Sequence, residues 1–150
     1  MIKNKEVLTD RAKSILAEAE IRATSIRVLV TREILQTEYA FTLADMEEKI
    51  VTLDKSTLCR TLNLFLSRRI LHVVDNDNGH KMYCRCICSI KQEVSQIHFT
   101  CLSCHKIFCV RSLIKEDINS LQVPHLENFE VTEVNYVLKG LCPKCKNKSK

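Results

Sequence analysis

The sequence predicts an α+β protein: an N-terminal winged helix-turn-helix domain followed by a small α/β domain closed by a four-cysteine zinc site. Three observations lead there. Apolar residues recur at helical spacing from Leu8 to Leu66. Two strand-like runs then flank Asn76-Asp-Asn-Gly79. Two C-x-x-C pairs, Cys101-Leu-Ser-Cys104 and Cys142-Pro-Lys-Cys145, lie in the second half.

The first helix is expected over Leu8–Ala19, with Thr9 or Asp10 as its cap, and the second over Ser25–Thr37 through Ile26, Val28, Leu29, Ile34 and Leu35. Thr42-Leu-Ala-Asp45 reads as the capped start of a short helix that ends near Ile50. Asp54 or Ser56 can cap a fourth helix whose apolar face is Leu58, Leu62, Leu64, Phe65 and Leu66. Ile70–Asp75, the Asn/Gly turn and Met82–Cys88 then make a β-hairpin. In that order the third and fourth helices form a helix-turn-helix and the hairpin forms its wing. A small α+β domain with the same order of elements is the alternative. Charge favours DNA: Lys55 to Arg69 holds Lys55, Arg60, Arg68 and Arg69 and no acidic residue, whereas the preceding helix carries Asp45, Glu47 and Glu48.

Past Lys91 the pattern changes to strands. His98-Phe-Thr-Cys101 leads into the first cysteine turn and Lys106–Val110 leaves it. Leu113–Val123 reads as an amphipathic helix, and Phe129–Leu138 as a strand that delivers the chain to Gly140 and the second turn. The boundary falls near Cys88–Gln92, giving a DNA-binding domain over 1–88 and a metal-binding domain over 89–150.

Each C-x-x-C lets a tight turn aim two sulfurs at one ion, and four thiolates suit tetrahedral zinc with no open position, a structural site. Disulfides are the competing reading. No apolar run is long enough for a signal peptide or a membrane span, so a cytoplasmic, reducing location with no membrane partner is expected. The nine cysteines are an odd number, which rules out complete pairing within one chain. Glycine and proline occur twice each, against long disordered linkers, and the net charge of +5 permits nucleic-acid binding without establishing it. A thiol oxidoreductase would need its C-x-x-C at a strand-to-helix junction of a thioredoxin-like pattern. Neither pair is so placed. With no phosphate loop, paired catalytic carboxylates or Ser-His-Asp order, the sequence makes no case for an enzyme.

Ala23-Thr-Ser-Ile-Arg27, Ser56-Thr-Leu-Cys-Arg-Thr-Leu62, Ile70–Tyr83, His98-Phe-Thr-Cys-Leu-Ser-Cys104, Phe129–Gly140 and Cys142–Cys145 follow one another as in the ferric uptake regulator family of metal-dependent bacterial repressors, which the chain resembles over nearly its whole length. The resemblance implies a homodimer, with two winged-helix domains on a central dimerisation unit (residues 89–150 here), repressing genes under control of a divalent metal. It implies Thr57 as a phosphate contact and Arg60 as a phosphate or guanine contact, with Lys55 and Arg69 beside them. Two positions depart from the pattern. Cys59 replaces a tyrosine on the recognition helix, so operator preference does not carry over, and His105 replaces a glycine after the first cysteine pair.

Family members sense metal between the wing and the dimerisation domain. The histidine expected before the third helix falls near Ala40 and is absent, and a His-x-His survives only as Gln96-Ile-His98. His72, Cys84, His98 and Cys109 remain at or near the positions used for sensing. As a Cys₂His₂ set they would favour zinc over iron or manganese as a second divalent ion. Buried filler is the competing reading, since free cysteine is a common core residue. Cys84, Cys86 and Cys88 alternate along the second wing strand and would share one face, as further soft ligands or as thiols that oxidise. A redox-sensing regulator, and a zinc-stabilised interaction module that has lost DNA binding, are therefore the alternatives to a metal-responsive repressor.

Overall fold

Capping, more than composition, sets where the helices begin and end. The computed structural model describes residues 2–75, 79, 81–85, 96–112, 130 and 136–148. Helix α1 spans Ile2–Glu18, six residues earlier than the apolar pattern indicates. Thr9, expected as its cap, lies inside it, and its hydroxyl donates to the Lys5 carbonyl at 2.8 Å. Nothing before Leu8 breaks a helix, so the polar residues there simply extend it. Helix α2, Ser25–Leu35, is capped by Thr24, whose hydroxyl accepts from Arg27 N at 3.4 Å.

Helix α3, Leu43–Lys49, begins with a full capping box: Asp45 N donates to Thr42 Oγ1 at 3.1 Å and Thr42 N donates to Asp45 Oδ2 at 2.7 Å. Helix α4, Lys55–Ser67, starts at Asp54, which accepts from Thr57 N at 2.9 Å and from the Ser56 hydroxyl at 2.6 Å. The Ser56 and Thr57 hydrogen bonds hold the Asp54 carboxyl well below the usual carboxylate range. What this cap adds is present above the ordinary carboxylate pKa and is lost as pH falls through the lowered one.

A chain with two glycines must end its helices with other residues. After α1, Glu20 takes a left-handed φ of 56°, with Glu20 N bonded to Ala17 O and Ile21 N to Leu16 O. After α4, Arg69 does the same at φ 56°, with Arg69 N bonded to Leu66 O and Ile70 N to Phe65 O. Both are Schellman endings, carried by residues for which this conformation costs about 1–2 kcal/mol. Arg68 and Glu20 then form an exposed ion pair at 3.5 Å.

These helices belong to the first of two compact units, Met1–Cys86 and Ile87–Lys150. In it α1 meets α2, α2 and α3 meet α4, and α4 meets strand β1, Leu71–Asp75. Leu58, Leu62 and Phe65 form the buried stripe of α4, within a core that includes Leu16, Val30, Ile34, Met46 and Leu71. Strand β2, Lys81–Arg85, runs antiparallel to β1, with Val73 opposite Tyr83 and His72 opposite Cys84. Gly79 sits at φ 73°, the left-handed conformation that the turn needs; Asn76–Asn78 and the expected strand residues after Arg85 lie outside the described residues. Phe41, just before the α3 cap, bridges to Tyr83 through both backbone hydrogen bonds, 2.9 and 2.7 Å.

The described residues of the second unit form a three-stranded sheet in the order β4-β3-β5, built from β3 (Gln96–Cys101), β4 (Ile107–Ser112) and β5 (Tyr136–Gly140), with a short helix α5 (Pro143–Lys148) after it. β3 and β4 are antiparallel, while β3 and β5 are parallel. The strand expected over Phe129–Leu138 is described only from Tyr136, and it continues to Gly140. The helix expected over Leu113–Val123 lies outside the described residues. No described helix is long and apolar enough to cross a membrane.

Two substitutions separate capping from core. Thr42→Ala is expected to cost about 1 kcal/mol by removing one α3 cap partner, and Phe65→Ala about 3–5 kcal/mol by opening a cavity. Urea unfolding followed by circular dichroism measures both.

Candidate functional site

The parallel pairing of β3 with β5 brings the two cysteine turns together. Parallel strands end at the same edge, so the turn after Cys101 and the turn after Gly140 emerge side by side. Their register sets Cys101 against Gly140, and Leu102 N donates to Gly140 O at 2.7 Å. Gly140 also packs closely on a side chain: a Cβ there would lie 3.3 Å from the Phe99 ring, which would have to give by a few tenths of an ångström.

Cys101, Cys104, Cys142 and Cys145 converge, with their sulfurs all within 4.8 Å of one another. A tetrahedron of Zn–S bonds of about 2.3 Å has edges of about 3.8 Å. Cys104 and Cys142 Sγ lie 3.9 Å apart, an edge of that length and far beyond a disulfide bond. Cys101 and Cys142 are buried and the other two half-buried. Backbone N–H groups of Cys104, then Cys142, point at the Cys101 sulfur and lower its pKa to about 6, with Cys142 N at 3.3 Å. Cys145 is pulled both ways. The Ser103 hydroxyl favours its thiolate, but Cys142, burial, Cys104 and Cys101 together push the thiol up to about 11. Four sulfurs gathered this closely fit a divalent metal, which binds them as thiolates. His105 is exposed, at φ 57° in this turn.

The same turn aligns a second pair of donors. Cys101 N bonds to Lys106 O, closing the hairpin over Leu102–His105. Counting back three residues on one strand and forward three on the other sets His98 opposite Cys109, and the ladder has that register. A bulge follows between Ile97 and His98. In the first unit His72 faces Cys84 in the same way. Each unit therefore carries a His–Cys pair on one face of a hairpin, with ligand atoms within 4.8 Å of each other. Cys84 and His98 are buried, and His72 and Cys109 half-buried. Cys86 and Cys88 lie outside the described residues.

On α4 the face opposite the core presents Ser56, Arg60, Asn63 and Ser67, with Cys59 half-buried beside them. Arg60 lies back along the helix, with Nε donating to Ser56 O at 3.3 Å, and Asn63 Nδ2 approaches Cys59 Sγ at 3.7 Å. Lys55 is exposed, 3.7 Å from a Glu47 carboxylate oxygen. Thr57 is half-buried, and its backbone N–H donates to the Asp54 carboxylate at 2.9 Å. Arg69 is exposed at the other end of the helix. Asn63 was not among the candidates read from the sequence. Its spacing of four from Cys59 and three from Arg60 is the signal that places it on this face.

No protein-family model matches the sequence, and no curated protein matches it. Solved structures do. A zinc uptake regulator complexed with zinc and DNA superposes with a TM-score of 0.67 at 19% identity, over 96% of each chain. The fold is that of the metal uptake regulators. A zinc-bound manganese uptake regulator matches at TM-score 0.59 and 18% identity, over 87% of this chain and 98% of its own. The ferric uptake regulator of Helicobacter pylori, described as having three functional metal-binding sites, matches at 0.56 and 14%, over 94% and 93%.

The four-sulfur geometry gives a direct expectation. Cys104→Ser or Cys142→Ser should release one tightly held zinc per chain and lower the melting temperature, read by elemental analysis and calorimetry. Retention of both metal and melting temperature would refute the assignment.

Proposed function

We propose that the chain is a metal-responsive DNA-binding transcriptional regulator, a repressor acting as a homodimer, with a structural zinc and a sensory zinc, and not an enzyme. The observation that carries this reading is the His–Cys pair on each hairpin, in a chain whose fold follows a DNA-bound zinc uptake regulator over 96% of both lengths. In this reading His72 and Cys84 from the first unit and His98 and Cys109 from the second close on one ion. Two thiolates and two imidazoles suit tetrahedral zinc and not the six-coordinate oxygen and nitrogen shells of iron or manganese. Binding an ion with both units would narrow the orientations of one against the other. The metal would then favour the arrangement in which two recognition helices meet successive half-sites.

Cys101, Cys104, Cys142 and Cys145 hold the structural ion. Helix α4 enters the major groove: Arg60 contacts a phosphate or a guanine, Thr57 a phosphate through the helix start, and Lys55 and Arg69 supply charge at the two ends. The homodimer is supported by β5, at the edge of the sheet among the described residues, whose adjacent Val137 and Leu138 are 56% and 50% exposed although their side chains point to opposite faces.

DNA and metal are tested separately. Arg60→Ala should weaken binding to a duplex selected by the wild-type protein. Lys55→Ala and Arg69→Gly should each lower the salt slope by about 1, glycine being chosen because it keeps the left-handed turn. Failure of the zinc-loaded wild type to bind any selected duplex would favour the interaction module.

Cys84→Ser and His98→Ala should each abolish metal-dependent binding while leaving the four-cysteine zinc in place, and zinc should act at lower free concentration than iron or manganese. If both variants keep the wild-type response, the sensory site lies elsewhere. Metal-independent binding that peroxide abolishes would make the thiols a redox switch.

A further inference from the structure

We infer that Phe41, Tyr83 and Arg85 are positioning residues that carry metal binding at the wing into the helix-turn-helix. The inference rests on the sensory reading of Cys84 given above. Along β2 successive side chains alternate in face, so Cys84 lies on one face and its neighbours Tyr83 and Arg85 on the other. Cys84 meets His72 on the donor face. On the opposite face the strand is fastened to the helices twice. Tyr83 exchanges both backbone hydrogen bonds with Phe41, and the two rings stack with centroids 5.9 Å apart. Arg85 Nη1 donates to the Leu35 carbonyl at 3.3 Å, at the last residue of α2, where a helix leaves its carbonyls without helical partners. Both fastenings are buried or half-buried.

The candidate ligand is thus the middle residue of a three-residue anchor. A rigid β2 cannot shift at Cys84 without pulling on Tyr83 and Arg85. Tyr83 holds Phe41, and Phe41 is bonded directly to Thr42, the N-cap of α3. Arg85 holds the end of α2, and Thr37, two residues past that end, accepts a 2.8 Å hydrogen bond from Lys49 Nζ at the end of α3. Both ends of α3 are therefore tied to the strand that bears the ligand. An ion on Cys84 that orders β2 would order the placement of α3, and through it α4.

The test uses the full-length protein and three variants: Arg85→Gln, Phe41→Leu, and Lys81→Ala as a control. Lys81 lies over the Tyr83 ring at 5.3 Å and is not part of either link. Three quantities are read. Zinc affinity of the second site is measured by chelator competition without DNA. The ratio of duplex affinities with that site filled and empty is measured on a duplex selected by the wild type. Amide hydrogen exchange is followed over Thr42–Lys49. For wild type and Lys81→Ala the expected ratio is in the range typical of allosteric coupling, about 5–150-fold, with slower exchange in α3 on adding zinc. Arg85→Gln and Phe41→Leu should keep zinc affinity within about threefold yet lose most of the ratio and of the α3 protection. If both variants keep the wild-type ratio and protection, the anchors do not transmit and the proposal falls while the sensory reading stands. If Cys84→Ser does not alter the wild-type zinc response, the sensory reading falls and takes the proposal with it. Should a variant lose its circular dichroism at room temperature, the milder Arg85→Lys, which cannot reproduce the guanidinium geometry, decides between the same outcomes.

Discussion

Parallel strands have no short turn between them, so the pairing of β3 with β5 needs support at its ends. The four cysteines supply it. Cys101 ends β3 and Cys142 follows β5 by two residues, so an ion held there would clamp two segments that the ladder alone joins weakly. A metal that binds only the folded arrangement of such segments adds its binding free energy to folding. Gly140 shows how closely the fit is drawn, because any side chain would press on Phe99.

The turn that carries Cys101 and Cys104 also sets the neighbouring hairpin. Closing the loop between Cys101 and Lys106 determines the register of β3 on β4, and the register sets His98 against Cys109. Slipping it by one residue would turn one of the two donors to the other face. One turn therefore serves two purposes: it presents two sulfurs at the tip and aligns two further donors three residues below. In the first unit the wing does the second of these alone, with His72 against Cys84, and takes its rigidity from Phe41 and the end of α2.

Likeness of fold at under 20% identity in the zinc-bound and DNA-bound structures leaves the chemistry to the chain's own residues. Among those residues, Cys109 stands opposite His98 on the β3–β4 ladder and Cys59 lies half-buried on α4. The exposed stripe of α4 is polar along its length, from Ser56 through Arg60 and Asn63 to Ser67, with Cys59 half-buried beside it.

Much of this was legible in the order of residues. Helical spacing gave α2 and α4; Thr42 with Asp45, and Asp54, marked the starts of α3 and α4; and the two cysteine pairs, read as one set, come together. These are local signals, fixed by residues within one or two turns of each other. The start of α1 was misread because Thr9 can bond inside a helix as well as cap one. What only the tertiary structure decided were contacts between distant segments: the parallel register that joins Cys101 to Gly140, the bridge from Phe41 to Tyr83, and the reach of Arg85 to Leu35. Partners in such contacts lie about 40 or 50 residues apart and are matched by backbone geometry, which side-chain identity along the chain does not encode.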